Sequence, residues 1–202
     1  MTADGLFPLA AEPDPSATRE ILARLRAGDR GAFDQLYCRW RDELLFVARA
    51  RLGTRLRGFL DSEDILQSVA LEAFTELPRF VPQHDGSLRK FLHQLVLRKI
   101  QDRADTVNAR KRAGAVPLTD SVADTLTTPA GPGYHDRTRF ERLERGLALL
   151  PEEMRRVLVL RKVEGLSGKE AAAALGRSDA ATRQLYARAL ARLADWFAAQ
   201  PP

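Results

Sequence analysis

The sequence predicts an all-α chain of two helical lobes joined by a flexible linker. Three observations carry this. Apolar residues recur every three or four positions through most of residues 18–112, and again over 139–197. No segment alternates apolar and polar residues for long enough to make a strand. Between the two periodic regions lies "AGAVPLTDSVADTLTTPAGPGYHD", rich in Pro, Gly and Thr and without a period. The expected organisation is a disordered tail over 1–17, an N-terminal helical domain over 18–112, a linker over 113–138 and a C-terminal domain over 139–199.

Taken in order, Thr18 is placed to cap a short helix over Arg19–Ala27 that Gly28 stops. Asp29 caps a second helix, whose stripe of Phe33, Leu36, Tyr37, Trp40, Leu44 and Ala48 runs to about Leu52. Asp61 or Ser62 caps a third, "DSEDILQSVALEAFTELPRF", which Pro78 ends. Ile65, Leu66, Val69, Ala70, Ala73, Phe74 and Leu77 form its core stripe. Its opposite face carries Asp64, Gln67, Ser68, Leu71 and Thr75, so one large apolar side chain stands where water is expected. Ser87 opens a long helix with Leu88, Phe91, Leu92, Leu95, Val96 and Ile100 inward. That helix runs on into a cationic stretch of Arg98, Lys99, Arg103, Arg110, Lys111 and Arg112, set against Asp102 and Asp105. Such a patch suits phosphate contact.

The C-terminal lobe has the most specific pattern. Pro151 belongs in a first helical turn, followed by Glu152 and Glu153 at the positive helix end, and Gly165 breaks that helix. Ser167 and Glu170 make a capping box for a short helix over Lys169–Leu175. Gly176 supplies a tight turn and Ser178 caps a third helix from Asp179 to about Phe197. A short helix, a glycine turn and a longer helix make helix-turn-helix geometry. Thr182, Leu185, Ala189, Leu193 and Trp196 face inward. Ala180, Gln184, Ala187, Arg188 and Ala191 face outward with Arg183 on the flank, and small alanines between long donors let such a helix sit deep in a major groove. Lys169 and Ser178 complete the expected DNA-contacting set.

Composition narrows the function classes. The 202-residue chain is 45% hydrophobic and 29% charged, as in a globular protein, and its net charge of +5 favours a polyanionic partner. A single cysteine, Cys38, allows no internal disulfide and no cysteine-ligated cluster, and its amphipathic setting suits a buried thiol. The first twenty residues lack the basic start and apolar core of a signal peptide. No run approaches a membrane span, so a cytoplasmic protein without membrane insertion is expected. His84 and His93 are expected at the surface or in a loop rather than as ligands; no metal or cofactor is expected.

With both lobes placed, the chain resembles bacterial RNA polymerase sigma factors of the extracytoplasmic-function group. "FDQLYCRWRDELLFVARARLG", the residue 61–80 helix and "LRKFLHQLVLRKIQDR" resemble that family's first conserved domain. "LPEEMRRVLVLRKVEGLSGKEAAAALGRSDAATRQLYARAL" resembles its second. The resemblance implies no enzyme but a subunit that joins core polymerase and directs initiation at promoters. Asp64 and Gln67 match the family's D-x-x-Q, so the resemblance puts docking on the clamp helices of the largest polymerase subunit at Asp64, Gln67, Ser68, Leu71 and Thr75. It puts minus-ten contacts on Arg98, Lys99, Arg103, Asn108, Arg110, Lys111 and Arg112. Minus-thirty-five contacts fall on Lys169, Ser178, Ala180, Arg183, Gln184, Ala187 and Arg188. An anti-sigma factor is a further partner that the family allows and these residues do not themselves show. Some positions depart from the pattern. Ser68 stands for an acid, Phe91 for Trp and Thr182 for Val, with a hydroxyl able to bond back to the preceding turn. The Asn common near Arg98–Lys99 is absent.

Reach is compatible with this reading. Some 25 linker residues span about 85 Å at about 3.4 Å each, whereas two turns of DNA are about 70 Å. Two other classes remain open at the level of sequence. One is a stand-alone helix-turn-helix regulator, which needs no polar-apolar stripe at Asp64–Gln67–Leu71–Thr75. The other is a metal-dependent nuclease built on Asp61, Glu63, Asp64 and Glu72, acids that fit a capped helix start better than a metal cage.

Overall fold

A computed structural model describes residues 15–56, 60–84, 86–112 and 134–200, with the backbone alone described at 15, 53–56, 110–112 and 134–137. The 1–14 tail, most of the linker and the side chains of Arg110, Lys111 and Arg112 therefore lie outside the described residues. Among the described residues all regular structure is helical, and no helix is long and apolar enough to cross a membrane. The chain divides into two compact units at about residue 136.

The N-terminal unit is built on α2, Arg30–Leu56, against which α1 (Pro15–Arg26), α3 (Ser62–Glu76) and α4 (Ser87–Arg112) pack. Six consecutive α2 residues from Glu43 to Ala48 are buried, so this helix is covered on every side at its middle. Ile65, Leu66, Val69 and Ala73 of α3 and Leu88, Leu92, Leu95, Val96 and Ile100 of α4 fill the core around it. The first helix starts at Pro15, ahead of Thr18, because proline is tolerated in a first turn where its missing N–H has no partner to lose. The second runs past Leu52 to Leu56. Asp29 joins the two: its carboxylate accepts from Ala32 N at 3.3 Å and from Arg24 Nε at 2.9 Å. The hydrogen bond from Arg24 holds the Asp29 carboxyl below the usual range. Arg26, at the end of α1, donates to the carbonyls of Pro78 and Phe80 at 3.1 and 2.7 Å, which fixes the short 3₁₀ turn Leu77–Arg79 that follows α3.

Three expectations for this unit are corrected. Cys38, expected as a buried thiol, is only half-buried. Phe74 is not core: it is 44% exposed and meets Phe33 edge-on with ring centroids 5.1 Å apart. His93 is not a surface residue. It is buried against Glu43, with Nε2 2.7 Å from Oε1, and Arg89 Nε lies 3.0 Å from the same oxygen.

The C-terminal unit contains α5 (Tyr134–Ala148), α6 (Glu152–Leu158), α7 (Gly168–Leu175) and α8 (Asp179–Ala198). Pro151 takes the position just before α6 rather than its first turn. That helix leaves α geometry before Gly165, in a π turn over Val159–Val163 whose signature is Glu164 N bonding back five residues to Val159 O at 2.9 Å. Gly165 follows at φ +71°, and Arg161 Nη1 donates to Leu166 O at 2.5 Å, which holds the chain as it turns into α7. Helices α5 and α8 approach closely at Gly146, where a Cβ would lie 2.7 Å from Leu193 Cδ1 and 2.9 Å from Trp196 Cε3. Trp196, expected inward, is half-buried and stacks edge-on with Phe197 at 5.0 Å.

Candidate functional site

The C-terminal site is set by local chemistry. The Ser167 and Glu170 capping box is present: Glu170 N donates to Ser167 Oγ at 3.3 Å and Ser167 N to Glu170 Oε2 at 2.7 Å. Gly176 ends α7 at φ +64°, a conformation a side chain would oppose. Ser178 Oγ then accepts from Ala181 N at 3.3 Å and starts α8. Thr182, Leu185, Ala189 and Leu193 are buried. The Thr182 hydroxyl, though able to bond back to the preceding turn, does not: its Oγ1 is buried without a hydrogen-bond partner. On the other side Ala180, Arg183, Gln184, Ala187 and Arg188 are exposed, as are Ser178 and Lys169. Arg183 lies 3.6 Å from Asp179, one turn back. An open groove of about 410 Å³ runs alongside, with Lys169 and Arg183 on its walls. Arg161 and Tyr186 also line it, the guanidinium 5.4 Å from the ring centroid. Sequence does not single these two out, because Arg161 lies in the π turn after α6, far along the chain from Tyr186, and nothing local announces their contact.

In the N-terminal unit, Asp61 caps α3 by accepting from Glu63 N at 2.8 Å. The outer face of α3 presents Asp64, Gln67 and Ser68 half-buried and Leu71 and Thr75 exposed. Leu71 is 66% exposed. The hydroxyls of Ser68 and Thr75 donate to the carbonyls of Asp64 and Leu71 at 3.0 and 3.1 Å, so neither disturbs the apolar centre of the stripe. Phe74 widens that centre, three residues on from Leu71. Val81, just past the helix, is also exposed.

The cationic residues of α4 are placed unexpectedly. Arg98 and Lys99 both contact the carboxylate of Glu72 on α3, and Arg98 also lies 3.4 Å from Glu76. Arg103 Nη2 lies 3.4 Å from Ser68 Oγ. Asn108 is exposed further along the helix. The acids of the nuclease reading do not converge. Asp61 is a cap, Glu63 pairs with Arg41 at 2.9 Å and Glu72 holds Arg98 and Lys99. Among the described residues no three His, Cys, Asp or Glu side chains are grouped to hold a metal ion.

Comparison with known proteins adds an independent line. Residues 140–193 match the family model for Sigma-70, region 4. The ECF RNA polymerase sigma factor SigD of Mycobacterium tuberculosis is 33% identical over 192 residues, covering 91% of this chain and 88% of that protein. SigM of the same species, also an ECF RNA polymerase sigma factor, is 32% identical over 87% of this chain and 82% of its own length. Among solved structures, CnrH in complex with the cytosolic domain of CnrY aligns over 92% of this chain and 99% of that one, at 25% identity and a TM-score of 0.43.

Proposed function

Because the chain belongs to the family of ECF RNA polymerase sigma factors, we propose a division of labour between its two helical units. The protein binds core RNA polymerase and directs promoter-specific initiation of transcription. Within that activity, the outer face of α3 docks on the clamp helices of the largest polymerase subunit through Asp64, Gln67, Ser68, Leu71 and Thr75. Helix α4 meets the minus-ten region through its cations and Asn108, and α8 reads the minus-thirty-five element. The protein contributes positioning rather than a reaction of its own, and acts in the cytoplasm, where the polymerase works.

The observation that best supports the assignment of α8 is its face. Arg183, Gln184 and Arg188 stand exposed beside the small side chains of Ala180 and Ala187, on a helix that begins three residues after the left-handed Gly176. Long donors over a low surface can approach base edges, and Arg and Gln match guanine and adenine respectively.

The test is a specificity measurement with holoenzyme on promoters randomised in the upstream element. Gln184→Ala is expected to weaken the preferred sequence by about 1–3 kcal/mol and to relax preference at one base position. Lys111→Ala, assigned to phosphate contact, is expected to weaken all sequences alike and to flatten the salt dependence. Uniform loss on every sequence from Gln184→Ala would remove Gln184 from the base-reading set.

A further inference from the structure

The cations of α4 assigned to the minus-ten region are not turned away from the protein. Glu72, whose side chain is 19% exposed, presents one carboxylate oxygen to Arg98 and the other to Lys99. Glu76 approaches Arg98 from the next turn of α3 at 3.4 Å, and Arg103 reaches Ser68 Oγ at 3.4 Å. Fully exposed ion pairs contribute little, because water and salt compete for both partners. A half-buried carboxylate that faces two cations is less easily replaced by water, so phosphates must compete with it for both charges. Glu72 also follows Leu71 directly and lies one turn beyond Ser68. The docking stripe and the acid that holds the cations therefore share one stretch of α3.

We propose that Glu72 is a positioning residue that withholds Arg98 and Lys99 from nucleic acid in the free protein, and that a partner seated on the α3 stripe releases them. The proposal rests on the reading of α4 as a DNA-contacting helix. Arg103 adds the mechanical link. Its contact with Ser68 crosses onto the stripe itself, so a partner covering Ser68 must displace that guanidinium first. The ligand class is the phosphodiester backbone, and the device makes DNA contact conditional on docking.

The experiment measures binding of the free, full-length protein to a mixed-sequence single-stranded oligonucleotide across a salt series. Releasing two cations for phosphate contact should steepen the log-log salt slope by about 1.4, or about sevenfold in affinity between about 50 and 200 mM salt. Glu72→Gln is expected to bind more tightly than wild type at low salt with that steeper slope, whereas Glu72→Asp, which keeps the charge, should stay near wild type. Glu76→Gln, at a more exposed position, should give a smaller change in the same direction and serves if Glu72→Gln fails to fold. Wild-type affinity and slope in a folded Glu72→Gln protein, or in Glu76→Gln where Glu72→Gln does not fold, would overturn the proposal. A parallel arm isolates the underlying reading: holoenzyme carrying Arg98→Ala and Lys99→Ala should open promoters poorly. If it opens them like wild type, α4 is not the DNA surface. If it is impaired while both glutamine variants keep the wild-type slope, only the role of Glu72 is lost.

Discussion

Glu43→Ala is expected to destabilise the N-terminal unit by about 3–5 kcal/mol, the cost of breaking a buried ion pair from one side. Glu43 is 1% exposed and its Oε1 serves both Arg89 and His93, which come from α4 one turn apart. The Arg89 guanidinium also lies over Trp40, 5.3 Å from the ring centroid. Without the carboxylate, a charge already surrounded by apolar side chains of α2 and α4 loses the group that balanced it. Glu43→Gln keeps the shape and an acceptor and should cost less. The chain has two tryptophans, one in each unit, so in a Trp196→Phe background the fluorescence of Trp40 reports urea unfolding of the N-terminal unit alone. A loss within about 1 kcal/mol, the range of exposed pairs, would mean that water reaches this cluster.

Leu71→Glu is expected to leave the fold intact and to weaken binding to core polymerase by at least about 2 kcal/mol, the threshold of an interface hot spot. Leu71 is 66% exposed, so its replacement creates no cavity and buries no charge in the free protein. In a docked complex the same carboxylate would occupy the apolar centre of the stripe, between Gln67 and Thr75 and beside Phe74. Circular dichroism melting should match wild type, while a fluorescence titration with core enzyme should show the loss. An unfolded variant would show that Leu71 supports the fold, and a folded variant with wild-type affinity would place docking elsewhere.

How far each feature could be read from sequence followed from the range of its interactions. The caps at Asp29, Asp61, Ser167 and Ser178 involve residues within a few positions of each other, and all of them are present. Leu71 was legible because it is the large apolar residue on an otherwise polar face. Phe74 was not: it lies at the edge of the core stripe, where its burial is decided by how closely α2 approaches, and Phe33 covers it only in part. His93 and Glu43 are fifty positions apart, so no local pattern could announce their contact. The same holds for Glu72 with Arg98, 26 positions apart: the run of cations is visible locally, but the carboxylate facing it is not. The π turn after α6 differs from an α turn by one residue in its hydrogen bonding, and periodicity alone does not resolve that difference.

The central claim is that this chain acts as a promoter-recognition subunit of the polymerase. Reconstituted transcription tests it most directly, with purified core enzyme and a genomic promoter library, in the presence and absence of the protein. Discrete start sites should appear only when core and protein are combined, and each should lie downstream of paired minus-thirty-five and minus-ten elements. No new start sites on addition to core, together with tight promoter-specific binding by the protein alone, would contradict the account and favour a stand-alone regulator.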